Sequence, residues 1–500
     1  MTQSVNIIWF KRDLRLADHK PLQLAIAEGL PTVLLYCFEP SLLNHGDSSE
    51  RHWRFIYQSL QQMQKVLRTY NLSIQIAYSE VIDALQTIQN HCNIKTIFSH
   101  QEIGNQISFK RDKAVKLFCN NNNIQWIEST TNGITRGLKG RKDFSKHWHA
   151  VMNEPLFEID LNKLQIFNMG SILSNVSENE IFYNSITSKH SYIQPGGEQY
   201  AHEYMKSFLS QRVANYSKHI SKPMESRKSC SRLSPYLAWG NLSIKQIYQT
   251  SLKSFVQNKD KFNINFFINR LHWHCHFIQK FESDCSIEYK NLNNGFDEIR
   301  NSKNEAYITA WEKGETGYPL VDACMKCVIE TGYLNFRMRS MLVTFLTHQL
   351  WQPWQAGAHH LAKQFLDYEP GIHYPQFQMQ AGTMGVNTIR TYNPIKQSKD
   401  HDPQGVFIKK WIPALQHIPE NIIHEPWVMS EMEQKMYKCI IGSDYAAPII
   451  DSKTAAAFAR VHLWETKKSK NVLKNNAKIL AIHTNRKNKE DDNTLQINFS

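Results

Sequence analysis

No run of eighteen apolar residues occurs in this 500-residue chain, which argues against a helix that spans a bilayer. No G-x-G-x-x-G follows a strand-like segment and no G-x-x-x-x-G-K-[ST] is present. A dinucleotide fingerprint and a P-loop are therefore both missing. The nine cysteines are odd in number and scattered through the chain, which fits reduced thiols and not a disulfide framework. Cys324 and Cys327 form a C-x-x-C in "VDACMKCVIE", but no second pair stands at zinc spacing; that pair reads as one face of a buried helix. The start, "MTQSVNIIWFKRDLRL", opens as a strand and then turns charged, unlike a signal peptide. A cytoplasmic protein is the expectation. Acidic residues are the minority, 45 against 58 basic, giving a net charge of +13. A basic surface calls for an anionic partner, and nucleic acid is the first candidate.

What is present is enough for more than one core. The chain is 41% hydrophobic and 11% aromatic, too rich for disorder and too long for one ordinary domain. Short apolar runs at 5–10, 32–38, 73–78, 95–100 and 124–129 read as buried strands. Helical patterns lie between them at 51–69, 81–90 and 107–121. Strands separated by helices predict an α/β domain with a doubly wound parallel sheet over 1–135. The stretch 136–196 turns polar and irregular and reads as an interdomain connector. Residues 197–440 carry long 3.6-residue patterns, among them 262–282 and 334–350, and predict an all-α domain. The extension 441–500 ends in "KKSKNVLKNNAK" and "TNRKNKEDDN", which reads as a mobile basic tail from residue 466.

One stretch poses a question. "RLHWHCHFIQKFE" (270–282) packs three histidines and a cysteine into five positions. His272 and His276 are four apart and share a helix face, as two metal ligands do. No third ligand is marked elsewhere, so no metal is expected. Three other segments share its density of polar and aromatic groups. "SCSRLSPYLAWGNLS" (229–243) sets hydroxyls and Arg232 just before a helix, a place suited to phosphate. "GYLNFRMRSM" (332–341) sets Arg337 and Arg339 at a helix start. "FLDYEPGIHYPQFQMQAG" (365–382) reads as a loop broken by proline and glycine, bearing Asp367, Glu369 and His373.

Taken in order, these segments resemble the cryptochrome/photolyase family of FAD flavoproteins. The likeness runs through "IIWFKRDLRLADHKPL" (7–22), "PGGEQYAHEYMKSFL" (195–209), "SRLSPYLAWGNLS" (231–243), "AWEKGETGYPLVDACM" (310–325) and "YNPIKQSKDHDPQGVFIKKWIPAL" (392–415). It implies an α/β antenna domain joined to a helical domain that holds FAD. The implied partner is UV-damaged DNA, bound by a monomer, and the implied reaction is light-driven electron transfer from reduced FAD to a pyrimidine dimer. A cryptochrome-type photoreceptor acting on a protein partner is the alternative.

By the same resemblance, Tyr216, Ser231, Arg232, Leu233, Ser234, Phe267, Arg339, Asp367, Glu369 and His373 hold the cofactor. Arg270, Trp273, His274, Phe336, Arg337 and Met379 face the lesion, with Trp273 stacking on it. The departures gather there too. Arg270 stands where repair enzymes carry glutamate, Phe336 where asparagine is common, and Met379 where an aromatic is common. His373 falls opposite flavin N5, where it is expected to titrate near neutral pH. The tryptophan relay keeps only Trp354, with Phe377 and Asn301 in the other two places. "SHQEIGNQISFKRD" (99–112) resembles the segment that holds a folate or deazaflavin antenna, and Glu102 is its candidate contact.

Overall fold

The computed structural model describes residues 3–138, 140–170, 172–257 and 259–483. Its first part is a sheet of five parallel strands: β1 (Ser4–Trp9), β2 (Thr32–Phe38), β3 (Ile74–Tyr78), β4 (Asn93–His100) and β5 (Gln125–Ser129). Their order across the sheet is β3-β2-β1-β4-β5. Such strands are covered on both faces, which is why β2 is the unbroken apolar run TVLLYCF, buried throughout. The helices α1 (Lys20–Glu28), α2 (Glu50–Arg68), α3 (Val81–His91) and α4 (Gln106–Asn121) supply the cover.

The order reverses between β1 and β4, and the carboxyl ends of those strands frame a crevice. Asp13 is buried there, and its Oδ2 accepts hydrogen bonds from His19 Nε2 (2.9 Å) and His100 Nδ1 (2.7 Å). These three are the one group of possible metal ligands within reach of one another among the described residues. The Asp13 oxygen takes both ring N–H groups, so the trio closes as a hydrogen-bonded tie between the ends of β1 and β4.

The connector carries more structure than its polarity suggested. Helix α5 (Phe144–Asn153) buries Phe144, Trp148 and Met152 at four-residue spacing, a short apolar stripe between polar runs. A second helix covers Glu180–Thr187. Beyond it lies the helical half. Here α6 (Glu198–Ser210), α7 (Ile244–Gln257) and most of α8 (Lys261–Ser283) pack into the same core as the inner face of the sheet, while α9 (Pro319–Thr331), α10 (Phe336–Thr344) and α11 (Gln355–Gln364) build a second core. A π-helical turn, Phe345–Gln349, extends α10.

The two halves are stitched by side chains reaching backbone carbonyls. Arg51 donates to Val328 O, Ile329 O and Gln364 O. Arg12 Nη2 donates to Tyr368 O at 2.9 Å. The Arg12 guanidinium lies 4.4 Å from the Trp239 ring centre, a cation–π contact.

Two sequence expectations fail here. The supposed loop around residue 370 is helix α12 (Pro370–Ala381). Pro370 occupies its first turn, where no N–H is needed, and the Glu369 side chain caps Gly371 N. Pro375 forfeits one ladder bond, but burial of Tyr374, Phe377 and Ala381 holds the helix. Gly371 lies against α8; a Cβ there would stand 2.9 Å from Ile278 Cα. The basic tail is also helical as far as residue 483. Helices α13 (Ser452–Lys468) and α14 (Lys470–His483) bury Ala459, Leu463 and Val472 completely. The rest of the expected tail, 484–500, lies outside the described residues.

Candidate flavin and nucleic-acid cavity

The helical half encloses a cavity of about 1010 Å³, at the upper end of the ~300–1,000 Å³ common for cofactor sites. Helix α8 forms one wall through Arg270, Trp273, His274 and Phe277, and α10 another through Phe336, Arg337 and Arg339. Asp367 and the α12 residues Ile372, Gln376 and Met379 close a third side. Tyr216, Ser231, Arg232 and Ser234 line it as well.

An ion pair marks the interior. Arg339 Nη2 donates to Asp367 Oδ2 at 2.9 Å, while Arg339 Nε donates to Leu334 O at 2.7 Å. Burial by itself would raise the Asp367 pKa; the guanidinium overrides it and keeps the carboxyl below its ordinary value. Asp367 Oδ1, Asn335 Oδ1 and Arg232 Nε are buried with no hydrogen-bond partner among the described residues. Acceptors and a donor left open on the cavity lining call for a polar ligand. The set fits FAD, which brings an imide N–H, hydroxyls and phosphate oxygens.

Arg232 itself is unusual. Its φ is +59°, a left-handed conformation that costs a side-chain-bearing residue about 1 kcal/mol. Its guanidinium is held by Gln194 Oε1 at 2.6 Å and lies 3.7 Å from the Tyr333 ring centre. The neighbouring Cys230 is a neutral thiol, since burial pushes its pKa up to about 12.

The mouth is aromatic and basic. Trp273 is 37% exposed and Phe336 39%, high values for rings of that size. The Trp273 ring meets His276 edge-on with centres 5.2 Å apart. Arg270 lies beside it on the same helix, its guanidinium 5.2 Å from the Phe266 ring centre. Arg337 donates to Tyr392 Oη at 3.5 Å. His274 is held neutral, with burial pulling its pKa down to about 4.

Several residues assigned by resemblance do not reach this cavity. His373 points the other way: its Nε2 donates to Ala358 O at 2.8 Å, and burial lowers its pKa to about 4. It therefore does not titrate near neutral pH. Phe267 packs on Phe208 and Tyr216 inside the core, and the adjacent Phe266 lines the cavity instead. Leu233 is likewise a core side chain. Glu369 pairs with Arg12 at 3.1 Å across the join between the two halves. Trp354 is buried away from the cavity, with Nε1 donating to Asn291 Oδ1 at 2.9 Å and its ring 6.4 Å from Tyr374.

Glu102 lines a second, smaller cavity of about 90 Å³ at the carboxyl ends of β1 and β2. Arg111 lines it too, pairing with Glu102 at 2.7 Å, Glu39 at 3.1 Å and Asp112 at 2.8 Å. Burial raises the Glu39 pKa to about 7 despite that pairing. A folate or deazaflavin does not fit this space as the side chains stand, since pigment-sized ligands occupy several times that volume (~300 Å³ or more).

Sequence reasoning missed part of the main wall. Arg141, Lys280, Leu480 and His483 line it as well. Arg141 was hidden in the polar connector, and His483 in the supposed mobile tail.

Comparison with known proteins agrees with this arrangement. Residues 6–136 match the family model for DNA photolyase, and residues 267–465 match that for the FAD binding domain of DNA photolyase. A deoxyribodipyrimidine photo-lyase of Alkalihalophilus pseudofirmus is 28% identical, over 90% of this chain and 96% of its own. A cryptochrome DASH of Synechocystis is 27% identical, over 89% of this chain and 95% of its own. The crystal structure of a Synechocystis cryptochrome shares the fold, with a TM-score of 0.84 at 23% identity, covering 92% of this chain and 99% of that one. No helix among the described residues is long and apolar enough to cross a membrane. The two matched regions together span about two thirds of the sequence, and the chain belongs to the photolyase/cryptochrome family.

Proposed function

We propose that the protein is a light-dependent DNA repair enzyme that splits UV-induced pyrimidine dimers. The observation that carries this reading is the exposed Trp273 on the wall of a cavity whose interior holds the Arg339–Asp367 pair. When bound and reduced, FAD supplies a single electron on absorbing blue light. Arg339 and Asp367 orient the ring, one as a fixed cation and the other with an open carboxylate oxygen. A dimer inside a duplex cannot reach the cavity, so it is flipped out; its poor stacking makes that step less costly. Trp273 then offers a face for the flipped bases, and Met379 a softer apolar contact. Arg270 donates hydrogen bonds to the pyrimidine carbonyls in place of the glutamate common among repair enzymes. It stabilises negative charge that develops on them.

The photolyase relatives support this chemistry, and the cryptochrome relative supports a second reading. Leu480 and His483 bring the C-terminal helix to the cavity wall, a route by which a photoreceptor's flavin site would act on a protein partner. One assay separates the two. Chemically reduced, FAD-loaded protein is mixed with an oligonucleotide carrying one cyclobutane thymine dimer and illuminated with blue light. Loss of the dimer in the light alone is the expected result. An intact dimer, with the flavin demonstrably reduced and a (6-4) lesion equally untouched, favours the photoreceptor.

A further inference from the structure

Three buried basic side chains meet on one wall of the cavity, and among the described residues none of them has an acidic partner there. Arg141 comes from the segment leading into α5, Lys280 from the last turns of α8, and His483 from the end of α14. They are 3%, 7% and 4% exposed. Arg141 Nη1 donates to His276 O at 3.3 Å, but its Nε and Nη2 are buried without a hydrogen-bond partner, as is His483 Nδ1. Among the described residues Lys280 Nζ has no carboxylate partner, and it lies 5.7 Å from the Phe277 ring centre. The carboxylate whose field reaches Arg141 is that of Glu282. It is occupied elsewhere, accepting from Gly137 N at 2.8 Å and Gln279 Nε2 at 3.1 Å.

Two buried cations side by side, Arg141 and Lys280, are unfavourable unless an anion joins them, and the His483 ring adds an unpartnered nitrogen to the same wall. The strain is visible in each group: burial and Arg141 together pull the Lys280 pKa down to about 8. Burial, then Lys280 and Arg141, hold His483 neutral. A planar guanidinium fork beside an ammonium is the donor pattern that suits a phosphate, which offers several oxygens in a tetrahedron.

We propose that Arg141, Lys280 and His483 form a binding site for a phosphate group, in this protein a backbone phosphate of the nucleic-acid strand whose bases enter the cavity. The assignment to a strand rests on the DNA-repair reading above. It is favoured over free phosphate by position: His276 contacts Arg141 on one side and the Trp273 ring on the other. A phosphate held here therefore sits beside the ring that would stack the bases.

The test uses full-length, FAD-loaded protein and two probes, an undamaged single-stranded oligothymidine and inorganic phosphate at constant ionic strength. Binding is compared for wild type, Arg141→Gln, Lys280→Gln and an exposed control, Lys399→Gln. Each of the first two variants is expected to lose about tenfold in oligonucleotide affinity at low salt. Each should also lower the slope of log affinity against log salt by about 0.7, with the flavin absorbance unchanged. Inorganic phosphate should compete with the oligonucleotide on wild type and not on Arg141→Gln. Wild-type affinity and slope in both variants would overturn the site. Oligonucleotide binding lost to the same degree in Lys399→Gln would overturn its specificity. If phosphate raises the melting temperature of wild type but not of Arg141→Gln, while no oligonucleotide binds, the strand assignment and the DNA reading both fall and a free-phosphate site remains. Should Arg141→Gln not fold, Lys280→Gln and Arg141→Lys, which keeps the charge but not the fork, decide the matter.

Discussion

Arg339 and Asp367 are twenty-eight positions apart in sequence and 2.9 Å apart in space, and the oxygen of Asp367 that Arg339 leaves open is buried on the cavity wall. Removing either partner leaves the other's charge uncompensated in a nonpolar surround. Arg339→Gln and Asp367→Asn are each expected to weaken FAD binding by about ten- to a hundredfold, the worth of a charged hydrogen bond of ~1.5–3 kcal/mol. Flavin absorbance per protein after purification, and fluorescence titration of the apoprotein with FAD, measure it.

Trp273→Ala should leave FAD loading unchanged and reduce preference for dimer-containing over undamaged oligonucleotide by about tenfold or more, the loss of ~1–3 kcal/mol of stacking per base. Filter binding with matched oligonucleotides reads the ratio. An unchanged ratio would show that Trp273 does not meet the lesion.

Phe377 is buried on α12 with its ring centre 4.7 Å from that of His373. Phenylalanine is far harder to oxidise than tryptophan. Phe377→Trp should speed flavin photoreduction, at a stability cost of about 1–3 kcal/mol for overpacking. Transient absorption after a blue flash measures the rate; a rate equal to wild type would exclude this position from the relay.

Acid should unfold the protein early. His52, His274 and His373 are each pulled by burial to about 4, below the ordinary value near 6.5. Their folded forms bind fewer protons than the unfolded chain, so nothing is lost above pH 6.5. Stability then falls as pH drops from 6.5 toward 4, by on the order of 1–3 kcal/mol per histidine. Thermal melts at half-unit pH steps across that window check the sign. A midpoint that holds steady from pH 7 to 4.5 would contradict it.

The sheet was legible because its signal is local. TVLLYCF at 32–38 is a strand in any reading, and β2 covers the same residues. The helix 262–282 was equally plain, within a residue of α8 at each end. Other elements were hidden by their composition. Phe144, Trp148 and Met152 make a three-residue stripe inside a polar stretch, so α5 looked irregular. Pro370 and Pro375 suggested a loop where tertiary burial sustains α12. At the site, chain position was readable and direction was not. Trp273 and Arg339 could be placed on the cavity from sequence, whereas His373 sits on the right helix and faces Ala358. Arg141 and His483 lie far from every recognisable motif, and only the folded chain brings them to Lys280.

The C-terminal helix has one further consequence, for how the protein is made and handled. A chain emerging N-terminus first completes the sheet, α8 and α12 long before α14 is synthesised. The cavity wall stays open until Leu480 and His483 arrive. A premature stop ahead of Lys470 therefore strikes the site directly, though it spares every residue of the recognisable motifs. A purification tag appended after residue 500 joins the chain downstream of that wall, whereas a tag ahead of β1 joins it before the sheet. The choice between them is a choice about the site.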